Sequence, residues 1–60
     1  MRTKEERLRF LLERIATRYD TGEAQVRRLV IDRMCRVLRL AGLSNEEIAD
    51  WLPLIRKLVR

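Results

Sequence analysis

Few side chains in this sequence could do covalent or proton-transfer chemistry. There is no histidine, so the group that most often carries protons near neutral pH is missing. Cys35 is the single cysteine. A reactive thiolate needs an imidazole or a cationic pocket beside it. Cys35 instead follows Ile31 and Met34 and precedes Leu38 in an apolar stretch, which reads as packing. Ser44 is the only serine, and its position ahead of Asn45-Glu46-Glu47 is that of a helix cap. The adjacent pairs Glu5–Glu6 and Glu46–Glu47 fall at helix starts, where the backbone dipole favours negative charge without any acid–base role. No glycine-rich phosphate loop is present, and a zinc site would have to be built from carboxylates alone. The residues therefore predict a non-enzymatic chain with no catalytic residue, cofactor, metal site or small-molecule substrate.

Arginine is the one chemically active residue in surplus. Lys plus Arg number 14 against 9 Asp plus Glu, a net charge of +5. Arg7, Arg14 and Arg18 stand at i, i+7 and i+11, which puts them on one ridge of a helix. Arg28, Arg36 and Arg39 share a polar strip of the following segment with Asp32. Guanidinium forks match phosphates and carboxylates. These six are the candidate contacts to an anion, whether a nucleic-acid backbone or an acidic protein face. The competing expectation is a solvated basic surface, with Asp32 paired to Arg28 or Arg36 four residues away.

The elements that must carry these groups are all helical. With 60 residues, 47% hydrophobic and 38% charged, 2 glycines and 1 proline, the chain is one domain (1–60) and too apolar to be disordered. No apolar run approaches the roughly 20 residues of a membrane span, and no signal-peptide pattern is expected. One unpaired cysteine suits a reducing cytosol, so the expected location is cytoplasmic.

Thr3-Lys4-Glu5-Glu6 has capping-box spacing, and Leu8, Leu12, Ile15 and Tyr19 follow at 4-3-4 intervals, with Leu11 and Ala16 beside them. A helix over about 4–19 is predicted. Asp20 or Thr21 is expected to cap a second helix over about 22–41, stopped by Gly42. Leu43-Ser44-Asn45-Glu46-Glu47-Ile48 combines a second capping box with a hydrophobic staple, opening a helix at about 45–52. Pro53 removes an amide and disfavours helix at Leu52, so a kink or a fresh short helix over 53–59 is expected there.

The second helix carries two apolar stripes. Val26, Val30, Val37 and Leu40 form one, with Arg33 inserted; Ile31, Met34, Leu38 and Ala41 form the other. A helix apolar around most of its girth belongs at the centre of a fold. The expected architecture is an all-α three-helix bundle with a central second helix. A domain this small is marginally stable and commonly gains from a partner subunit. A homodimer across Val26, Val30, Arg33, Val37 and Leu40 is therefore expected. Arg33 should either extend to water or pair with Glu13 or Asp50. Phe10, on the far side of its helix, and Leu54 and Leu58, near the C-terminus, remain as a second apolar patch for a partner.

Residues Leu43-Ser44-Asn45-Glu46-Glu47-Ile48-Ala49-Asp50-Trp51-Leu52 resemble the first helix of a helix-turn-helix unit of bacterial transcription regulators. The likeness lies in Glu-Ile-Ala followed three residues later by Leu. It implies a DNA-binding regulator in which a turn and a recognition helix come next; here Pro53 stands where the turn glycine would be. Two functions remain as expectations. One is a regulatory or adaptor protein that holds an acidic macromolecule through Phe10, Leu54 and Leu58, rimmed by arginines. The other is a transcription regulator that grips DNA phosphates through its arginine rows.

Overall fold

The computed structural model of the chain describes residues 3–19 and 22–59. They form three helices, α1 (Lys4–Arg18), α2 (Ala24–Leu40) and α3 (Asn45–Leu58), each packed on the other two. The described residues contain no strand. This is the all-α three-helix bundle expected from the periodicity.

Local chemistry fixes most of the boundaries. Thr3 caps α1, its Oγ1 accepting the Glu6 amide at 3.2 Å. At Ser44 both halves of the capping box form: the Glu47 amide donates to Ser44 Oγ at 3.2 Å, and the Ser44 amide donates to Glu47 Oε1 at 3.0 Å. Leu43, just ahead of this cap, packs on the same apolar cluster as Ile48, as a staple should.

α2 starts differently from its expected form. Its N-cap is Glu23, which makes no side-chain capping bond. The capping role expected of Asp20 or Thr21 lies outside the described residues. α2 ends as its sequence dictates. Gly42 adopts φ +95°, the left-handed region that costs a Cβ-bearing residue about 1–2 kcal/mol. The Gly42 amide donates to the Arg39 carbonyl at 3.0 Å and the Leu43 amide to the Leu38 carbonyl at 3.1 Å. These are the two bonds of a Schellman stop.

α3 corrects one expectation. Of the two outcomes expected at Pro53, the fresh short helix over 53–59 does not form; a single helix runs from Asn45 to Leu58 with the proline inside it. Ile48 on one side of Pro53, and Ile55 and Val59 on the other, are all buried in the same core. Burial of both halves against a common surface holds them together as one helix. The Ala49 carbonyl, which loses the Pro53 amide, belongs to an exposed residue on the same outer side as the proline, where water can satisfy it.

Leu8 and Leu12 of α1, Val30, Met34 and Leu38 of α2, and Ile48, Ile55 and Val59 of α3 and its cap make up the core. Ile15, Ala16, Ile31, Cys35, Trp51 and Leu52 lean against it.

A candidate docking surface on the second helix

In a three-helix bundle each helix has only two neighbours. α2 spends one side on them, through Val30, Met34 and Leu38. Ile31 and Cys35 lean on the same core, but part of the helix's apolar surface has no protein to cover it. Leu29 is 68% exposed and Leu40 82%, with half-buried Val26 and Val37 beside them. At about 100° per residue, Leu29, Leu40, Arg33, Val26 and Val37 fall in that order within an arc of about 80°. They line one open groove of about 1180 Å³, with Tyr19 contributed by the C-cap of α1.

All five residues expected at an oligomer interface line this groove, but one of them changes role. Val30 is only 2% exposed. It belongs to the core and forms the floor of the groove, so its surface is already used inside one copy. Arg33 is exposed. That exposure fits a long cation that extends to water from an apolar row.

Leu29 was not singled out by the spacing argument, although its signal was present. It lies eleven residues, three turns, before Leu40 and shares its direction. An unbroken apolar run, Leu29-Val30-Ile31, conceals which of its members faces the core.

The arginines surround this face unevenly. Arg36 and Arg39 line the groove with Asp32, the only carboxylate of α2. Arg28 is exposed on the adjoining strip, and Arg7, Arg14 and Arg18 are exposed along α1. Arg39 also has structural work: its guanidinium donates to Asn45 Oδ1 at 3.2 Å, tying the end of α2 to the first residue of α3.

Phe10, Leu54 and Leu58 are not gathered into one patch. Phe10 is 47% exposed, but it stands two residues from both Leu8 and Leu12, hence on the opposite side of α1 from the core. There it lines a shallow depression with Glu6, Arg9 and Glu13. Leu58 packs against the core and Leu54 is half-buried outside the core cluster. The extra length of α3 beyond Pro53 is what gives Leu58 a place in the bundle.

The carboxylate of Glu47 is favoured in its charged form. Its pKa is lowered, first by the hydrogen bond from the Ser44 amide, then by that from the Ser44 hydroxyl, with a smaller attraction from Lys4. The two Ser44 bonds, the larger causes, belong to the cap of α3. Cys35 is half-buried against the core. Among the described residues, no three His, Cys, Asp or Glu side chains come together as possible metal ligands. Among the described residues no helix is long and apolar enough to cross a membrane.

Residues 43–52, which resemble the opening of a helix-turn-helix unit, occupy the connection and first part of α3, and the helix passes Pro53 without a turn. Comparison with family models, with curated proteins and with solved structures gave no match.

Proposed function

We propose that this chain is a non-enzymatic regulatory or adaptor module of the cytosol that holds another macromolecule on the outer face of α2. The observation that carries the reading is the exposure of Leu29 and Leu40 on a single helical face. Two large aliphatic side chains left in water three turns apart, with Val26 and Val37 beside them, form an apolar row of the kind that marks an interaction surface. Arginines along its edge would speed encounter with an acidic surface.

A photo-crosslinking amino acid introduced at position 40 tests this in the cells that express the chain. A discrete adduct is expected from position 40 and none from exposed position 46. Equal labelling from both positions, or none from position 40, rejects the reading.

A second reading, a DNA-binding regulator, rests on the exposure of all six candidate arginines. It predicts binding to random duplex DNA that weakens steeply with salt as counterions are released. No binding at low salt removes it.

A further inference from the structure

The face of α2 has a shape and a charge, and together they narrow its occupant. We propose that it seats an acidic amphipathic helix of another protein, laid along α2 with its apolar side against Val26, Leu29, Val37 and Leu40 and its carboxylates against Arg33 and Arg36. This rests on the docking role proposed above and specifies the partner.

Length and spacing point to a helix. From Val26 to Leu40 the row runs about 21 Å at 1.5 Å per residue, or about four turns. The positions 26, 29, 33, 37 and 40 are separated by 3, 4, 4 and 3 residues, the alternation that makes holes for the side chains of a facing helix. The buried Val30 closes the floor between Val26 and Val37, so the groove is shallow and elongated.

Charge points to an acidic one. α2 carries five arginines, at 27, 28, 33, 36 and 39, against Asp32 alone. Arg33 lies within the apolar row itself, and Arg36 and Arg39 lie at its edge. A helix bearing Glu or Asp beside its apolar seam would meet these cations as charge-assisted hydrogen bonds while its leucine-like side chains displace water from Leu29 and Leu40.

A second copy of this chain fits less well. Residue 33 is the midpoint of the row from 26 to 40. An antiparallel pair of α2 helices that uses the whole row puts its two-fold axis at Arg33, so Arg33 meets its own copy. A parallel pair in register does the same. Each copy also brings a net charge of +5. A nucleic acid fits less well again, because phosphates would engage the arginines and leave Leu29 and Leu40 in water.

The test uses the full chain and two synthetic three-heptad helices with leucine at the seam. One has glutamate at both flanking positions and the other has lysine. Fluorescence anisotropy should show the acidic helix bound, with affinity falling as salt rises, and the lysine helix at least about tenfold weaker. Leu40→Glu should weaken capture of the acidic helix by about tenfold or more while circular dichroism keeps its helical signal, since residue 40 touches little of the fold. Reversing Arg33 and Arg36 to glutamate should transfer the preference to the lysine helix.

Equal binding of the two helices, or no binding of the acidic one at low salt, overturns the proposal. So does light scattering that shows a dimer which Leu40→Glu splits. That last result would keep the face as a docking surface and give it to a second copy, so the partner assignment fails without the docking role. Duplex DNA that competes with the acidic helix for wild type, and loses binding in Leu40→Glu, would overturn the assignment in favour of nucleic acid. Failure of the crosslinking at position 40 would remove the docking role itself.

Discussion

Ser44 and Glu47 show how much one local pair determines. Two hydrogen bonds, each made by one residue's backbone to the other's side chain, set where α3 begins, and the one from the Ser44 amide also holds the Glu47 carboxylate in its charged form. Because the folded pKa lies below the ordinary value, this stabilisation is complete above the usual carboxylate range. It is lost as pH falls through the lowered folded pKa. Glu47→Gln keeps the capping geometry, since glutamine also accepts the Ser44 amide, but removes the charge. Wild type is therefore expected to be the more stable at neutral pH, with the gap closing as both are acidified; urea midpoints across that range measure it. A gap that stays constant with pH would mean Glu47 gains nothing from ionisation in the fold. The pairing of Ser44 with Glu47 was legible from residue types three apart. The roles of Arg33 and Val30 were not, because one stripe on a helical wheel does not say which of its members a neighbour will cover.

At the level of elements, Pro53 is the instructive case. Local rules make it a stop or a break. The helix continues because Ile48 before it and Ile55 and Val59 after it share one core. Tertiary burial outweighs the local cost, which for proline inside a helix is about 3 kcal/mol relative to alanine. Pro53 is exposed, so replacing it leaves no cavity. Pro53→Ala should restore an amide to the Ala49 carbonyl and raise stability by roughly 1–3 kcal/mol, read as a higher thermal midpoint. A lower midpoint would show that the proline bends α3 into a shape the core requires. The same competition explains the patch that did not form. A helix stopped at residue 52 would leave Leu54 and Leu58 stranded, whereas a helix that runs on turns Leu58 inward.

The whole molecule is small enough for one residue to decide whether it folds. Leu12 is fully buried where the three helices meet. Cutting it to alanine is expected to cost about 2–5 kcal/mol. At about 0.05–0.15 kcal/mol per residue, a domain of this size holds roughly 3–9 kcal/mol in total. Leu12→Ala should therefore lose a large share of its stability, with a fall in urea midpoint that Leu40→Glu, on the open face, does not share. Equal effects of the two changes would mean that residue 40 is as much a part of the core as residue 12, and the docking surface would vanish with that result. The bundle's shape supplies the contrast: three helices can surround one core but cannot wrap a fourth side of α2.

From its sequence alone this protein had its helices, two of its caps and the glycine stop after α2 determined, because each depends on residues within about one helical turn of one another. Its apolar excess on α2 was legible too, since periodicity is a property of the chain. Only the tertiary structure decided that Val30 belongs inside and Leu29 and Leu40 outside, that α3 runs through Pro53, and that Phe10 and Leu58 share no patch. Those outcomes depend on which face each neighbouring helix covers, and neighbours are chosen by packing across the whole molecule rather than by the order of residues along any one segment.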